Sequence, residues 1–213
     1  MSEAEMDALR AAFDAQSALQ RETDHRFKNV LQLISSVILL QSRRASDPAA
    51  RAALKSVLQR VSAVSVASRH IDRAAGAEQT DVTSLIREIA TELASNAAPG
   101  VLVDLDLDPA TAAARDGAPL ALILNEALGN ALAHAFPDGR PGRVRVALQR
   151  ESTGFVLAIA DDGVGAPEGG PPKGFGLTIL QLMAQQVHGR LEMTATQPGF
   201  RLAVHVPMDD PSP

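Results

Sequence analysis

Glu22, His25, Asn29, Gln32 and Ser36 follow one another at spacings of three, four, three and four, which is one polar stripe along a helix. Phe27, Val30, Ile34 and Val37 keep the same rhythm about half a turn away. Burying that apolar seam turns the His25 imidazole toward water, where a neutral ring nitrogen can act as a nucleophile. Further along, a stretch made mostly of Leu, Ile and Ala carries Asn125, Glu126, Asn130 and His134, and the last three stand four residues apart on one helical face. A carboxylate and amides in so apolar a helix cost several kcal/mol if unpaired, so they must meet a ligand, a metal or each other. Oxygen donors of this kind suit Mg²⁺.

Two glycine pairs complete the set. Asp161-Asp162-Gly163-Val164-Gly165 leaves a strand and enters a loop that ends at Lys173-Gly174-Phe175-Gly176. A dinucleotide fingerprint would open directly into a helix, whereas the first pair runs into prolines, so that reading fails. The second pair does open a helix, whose free N–H groups and dipole can face phosphate.

The elements that must position these residues fall into two patterns. Residues 3–45 and 49–74 read as two helices broken at Asp47-Pro48, an antiparallel hairpin whose second seam is Leu54, Val57, Val61, Val64, Ser68 and Ile71. A lone hairpin leaves its seams half exposed, so a homodimer in a four-helix bundle is expected. After the small-residue linker Ala74–Ala77, strands alternate with helices. Thr80–Thr83 caps a helix to about residue 97, and Val101–Leu107 alternates apolar with acidic as a half-buried strand does. A helix over 117–135 follows, then strands at 144–148, 155–160, 190–196 and 200–206, with a helix from 176 to Gly189 between the second pair. Five strands and three helices predict a helical layer on a mixed sheet. The expected division is 1–76, 80–207 and a disordered tail over 208–213, an α+β chain.

With 213 residues and 46% hydrophobic content the chain is core-forming. It has no Trp or Tyr, six Phe and a net charge of -5, which removes both the stacking platforms and the basic footprint of a nucleic-acid binder. Without cysteine there is no thiolate nucleophile or Cys-zinc site, and any metal must come from oxygen ligands. No uncharged apolar run reaches the ~18 residues of a spanning helix, and the N-terminus is no signal peptide. A cytoplasmic protein with no membrane partner is expected.

Asn125 to Phe136, Asp161 to Gly165 and Gly174 to Leu177, in this order, resemble the N, G1 and G2 boxes of the Bergerat-fold ATPases, the group that includes gyrase, MutL and the histidine kinases. Asp24 to Gln32 is similar to the phosphoacceptor box of the His-Arg-x-Lys-Asn histidine kinases, the HWE kinases and their relatives. The resemblance spans about residues 20–207. It implies a dimerisation and phosphoacceptor hairpin followed by an α/β-sandwich ATP-binding domain. It also implies an ATP- and Mg²⁺-dependent kinase that autophosphorylates His25 and passes the phosphoryl group to an aspartate of a response-regulator receiver domain.

Carried over residue by residue, His25 is the acceptor, Asn130 a Mg²⁺ ligand, and Asp161 the acceptor for the adenine amino group. Gly163 and Gly165 let the backbone approach the base, with His134 at the nucleotide. Lys173, Gly174, Gly176 and Leu177 form the phosphate end of the lid. Glu126 stands where gyrase-like relatives keep a water-activating base, so here it shapes the Mg²⁺ shell or aids proton removal. Arg26, Lys28 and Asn29 surround the acceptor with donors suited to phosphate. Two departures follow: the family's N box commonly has Lys where this chain has Ala133, and no sensor domain is expected ahead of the acceptor box, which makes a separate sensor protein a candidate partner. Lys173 or an arginine of the Arg140–Arg143 turn could replace the missing charge.

Two rivals share the fold. One is a dimeric phosphotransfer protein or phosphatase with weak or lost kinase activity, which Ala133 favours and the intact Asn130, Asp161 and glycines oppose. The other is a serine/threonine kinase of the anti-sigma type, which leaves His25 and the hairpin unexplained. Bound ATP separates the first from a kinase, and acid lability of the phosphoprotein separates the second.

Overall fold

The computed structural model describes residues 22, 26–72, 79–165 and 174–207. The chain divides into two compact units, 1–68 and 69–213.

In the first unit, helix α1 covers 26–44 and helix α2 is Pro48–Ala67. Asp47 caps α2, its carboxylate accepting the Ala49 N–H at 3.0 Å and the Ala50 N–H at 3.4 Å, and Pro48 follows at a position where no N–H is missed. The face of α1 that the chain half-buries runs through Lys28, Leu31, Ser35, Ile38 and Ser42. The Phe27, Val30, Ile34 and Val37 seam is not covered within one chain: Val30 keeps 53% of its surface and Val37 52%. The polar stripe is exposed as well, at Glu22, Asn29, Gln32 and Ser36. The two faces expected to oppose each other as wet and dry are thus both open in the single chain.

The expected helix over 49–74 ends early. Ile71 and Asp72 form strand β1, which pairs antiparallel with strand β2 (Gln79–Asp81) through Ile71↔Thr80 and Asp72↔Gln79. Backbone spent on this ladder cannot continue the i to i−4 bonds of α2. Residues 69–72 therefore belong to the second unit, and the small-residue stretch 74–77, outside the described residues, connects two paired strands of that unit. Arg69 and His70 both bond to Glu88, the latter from Nε2 to Oε2 at 2.7 Å.

Asp81 caps helix α3 (Val82–Ala94), accepting the Ser84 N–H at 3.0 Å. Strand β3 (Val101–Leu107) follows, and β4 (Thr111–Ala113) joins β2 and β1 in a small sheet. Helix α4 (Gly117–His134), strands β5 (Gly142–Glu151) and β6 (Gly154–Asp161), helix α5 (Phe175–Gln186) and strands β7 (Arg190–Ala195) and β8 (Phe200–Pro207) complete the unit. The large sheet has the order β3-β5-β6-β8-β7, with β3 parallel to β5 and every other pair antiparallel.

Contacts of α3 with β3, of α4 with β5 and β6, and of α5 with β7 put the helical layer on one sheet face. Val144, Val146, Leu148, Leu157 and Val204 share one face of the sheet by register, and they and Leu120, Leu124 and Leu128 of α4 are nearly or completely buried. Each such side chain contributes roughly 1.5–3 kcal/mol by leaving water. On the opposite face Arg143 pairs with Asp104 at 2.9 Å and Arg145 with Asp106 at 2.5 Å, which explains the acidic alternation of β3.

Candidate active site

Helix α4 brings its polar residues to one end of the sheet. Asn125 and Glu126 are both buried, and Asn125 Nδ2 donates to Glu126 Oε1 at 3.3 Å. The other Glu126 oxygen lies 2.9 Å from where a Cβ on Gly176 would stand, with Asn130 Nδ2 3.6 Å from the same point. The start of α5 thus packs directly on Glu126 and Asn130. Gly174 caps α5 without a side-chain bond, so the positive end of the helix dipole faces the cavity with no side-chain acceptor laid across it.

The loop after β6 is pinned to the far end of α4. Val164 donates its N–H to the Ala135 carbonyl at 3.0 Å, and a Cβ on Gly163 would approach that same oxygen to 2.3 Å, so only glycine fits. Gly165 follows at φ 76°, in the left-handed region. Asp161 accepts the Gly163 N–H at 2.9 Å. Burial pushes the Asp161 carboxyl above its ordinary value, N–H bonds from Gly163 and Phe200 oppose the rise, and the neighbouring Asp162 adds to it.

Between these features lies a cavity of about 700 Å³. Asn130, His134, Asp161, Gly165, Gly174, Gly176 and Leu177 line it. Glu126 and Gly163 stand behind the wall rather than on it. His25 and Lys173 lie outside the described residues. Arg26, in the first unit, pairs with Glu22 at 2.6 Å, and Asn29 is exposed. Ala133 is exposed on α4, and Arg143, one candidate to replace a lysine there, is held by Asp104.

Sequence reasoning missed the sheet side of the cavity, formed by Ile159, Met193, Phe200 and Leu202. The signal was present in part: Asp161 faces Phe200 and Ile159 faces Leu202 across the β6–β8 ladder, a register that follows once the two strands are paired.

Among the described residues no group of three His, Asp or Glu side chains gathers as a ready metal cage. Asn130 on the cavity wall, one helical turn from the buried Glu126 carboxylate and opposite a helix start without a side-chain cap, belongs to a set of oxygen-bearing side chains that suits a Mg²⁺ ion completed by nucleotide phosphates and water.

Comparison with known proteins agrees with this geometry. Residues 22–97 match a family model described as histidine kinase, and residues 115–210 match one described as histidine kinase-, DNA gyrase B- and HSP90-like ATPase. A blue-light-activated histidine kinase of Rhizobium johnstonii is 32% identical over 97% of this chain and 57% of its own length. The sensor histidine kinase PdtaS of Mycobacterium tuberculosis is 30% identical over 92% of this chain and 41% of its own. The chain therefore spans about half the length of these curated relatives. The solved histidine kinase domain of an Erythrobacter litoralis blue-light activated histidine kinase shares the fold, with a TM-score of 0.68, 24% identity and coverage of 88% of this chain and 92% of that one. Among the described residues no helix is long and apolar enough to cross a membrane. With an acceptor-type helical segment joined to an ATPase-type sandwich, the chain belongs to the histidine kinases.

Proposed function

We propose that the chain is an ATP-dependent protein-histidine kinase that autophosphorylates on His25 and passes the phosphoryl group to an aspartate of a response-regulator receiver domain. The observation that carries this reading is the cavity between Asp161, on its Gly163–Ala135 anchor, and the uncapped start of α5 at Gly174, Gly176 and Leu177. One end offers a carboxylate for the adenine amino group, the other the positive end of the α5 dipole for phosphate.

In this reading the His25 imidazole attacks the γ-phosphorus in line. A nitrogen–phosphorus bond forms as the bond to the bridging oxygen breaks, ADP leaves, and the imidazole gives up its ring proton to water. Asn130, with Glu126 behind it, would hold Mg²⁺, which would supply positive charge against the phosphates. Arg26, Lys28 and Asn29 supply donors around the acceptor, and Asn29 is open to an incoming phosphate. His134, on the cavity wall, faces the nucleotide. The acceptor domain, expected over 1–76, gives way to the ATP-binding unit at residue 69, and the chain works as a homodimer in the cytoplasm.

Incubation with γ-labelled ATP and Mg²⁺ tests the reading. Label lost in acid and absent from His25→Ala is expected, and equal labelling of both proteins rejects it. The phosphotransfer or phosphatase alternative draws on the exposed Ala133, and it predicts a chain that neither binds ATP nor takes the label.

A further inference from the structure

Asp161 and Phe200 are direct partners across the β6–β8 ladder, so their side chains leave the sheet on the same face, side by side. Both line the cavity. The Phe200 N–H also bonds to the Asp161 carboxylate, which ties the ring's backbone to the group that reads the base. The preceding Gly199, at φ 99°, lies so close that a Cβ would stand 1.8 Å from the Asp161 carbonyl oxygen. The chain has six phenylalanines and no Tyr or Trp, so an aromatic ring beside a polar reader in an otherwise aliphatic wall is not a matter of abundance.

We propose that Phe200 is a specificity-determining residue of the nucleotide site: its ring is the platform on which the base lies while Asp161 takes the exocyclic amino group. The proposal rests on the ATP-site reading and divides its selectivity between two side chains. Asp161 reads hydrogen bonding, which adenine and cytosine satisfy alike, since each presents an amino donor beside a ring-nitrogen acceptor. Phe200 reads ring area, which only a purine supplies in full.

Titration calorimetry of the full chain with Mg²⁺-ATP and Mg²⁺-CTP separates the two. The wild type should prefer ATP. Phe200→Leu, which keeps an apolar side chain, should lose about tenfold in ATP affinity and less for CTP, narrowing the ATP/CTP ratio, whereas Phe200→Tyr should retain the ratio. Asp161→Asn should weaken both nucleotides together. Phe200→Ala adds a larger loss where it folds, and the Leu and Tyr pair decides the matter where it does not. A Phe200→Leu protein with the wild-type ATP/CTP ratio overturns the proposal and leaves the kinase reading standing. A wild-type chain that binds neither nucleotide overturns the ATP site itself.

Discussion

Gly163 rests on Ala135 so closely that a side chain there would penetrate the carbonyl, and through this contact the end of helix α4 sets where Asp161 sits. Gly163→Ala should therefore push the loop off the helix rather than fill a gap. Overpacking of this kind costs about 1–3 kcal/mol, and nucleotide affinity should fall tenfold or more. Fluorescent-nucleotide titration beside a thermal melt checks it: unchanged affinity would mean the loop does not position the base site.

Asp161 trades stability for recognition. Its carboxyl is raised by burial, so the ionised form is penalised in the folded chain. A raised folded-state value favours folding below the ordinary aspartate value, and that advantage is lost as pH climbs through the folded-state value. At neutral pH Asp161→Asn, with its amide oxygen still able to accept the Gly163 N–H, should melt at or above the wild-type temperature while losing ATP affinity. The gain should disappear in acid, which a melting series from pH 3 to 7 would reveal.

Glu88 behaves in the opposite sense. Burial raises its carboxyl, but bonds from His70 and Arg69 outweigh that and hold it below the ordinary glutamate value. The stabilisation is present above the ordinary value and lost as pH falls through the lowered one. Because the pair is substantially exposed, solvent screens it and the effect is small. Glu88→Gln should lower the melting temperature at neutral pH and flatten its decline in acid, with ATP affinity untouched.

The open seam on α1 gives a test of dimerisation that spares the monomer. Val37 and Val57 are already 52% and 40% exposed within one chain, so charging them costs the monomer little. Light scattering should report twice the 22.4 kDa chain mass for the wild type and a single chain for Val37→Glu with Val57→Glu, since unpaired charge in a buried seam costs several kcal/mol. A wild type that stays monomeric at micromolar concentration would rule the bundle out.

Ala133 leaves an exposed turn of α4 without a cation, and Arg143 is engaged elsewhere. Ala133→Lys should raise the autophosphorylation rate by about tenfold, the equivalent of one charge-assisted bond. No change in Ala133→Lys combined with collapse in Lys173→Ala would assign that role to the lid lysine instead.

Much of this arrangement was legible in the sequence because local chemistry wrote it there. Asp47-Pro48 marks the break between helices, Asp81 the start of α3, and period-two runs the strands of the large sheet. The small sheet was not legible: β1 and β2 are two and three residues long, too short for a period, and Ile71 also fits the helical rhythm that precedes it. Asn130, Asp161, Gly174 and Gly176 declared themselves as polar or glycine positions out of keeping with their neighbours. Phe200 and Met193 did not, because an apolar residue in a strand reads as core until the register shows that it faces a cavity.

The acidic alternation of β3 has a further meaning at the scale of assembly. Among the described residues β3 and β7 are the two edge strands of the large sheet, the positions where another chain could add a strand and begin a fibre. Asp104 and Asp106 with their arginine partners line one edge, and Arg190 paired with Glu192 lines the other. Edge-to-edge growth would have to strip water from charge at both ends. The apolar residues left open along α1 carry no such guard, so the proposed homodimer would meet through helices rather than strands.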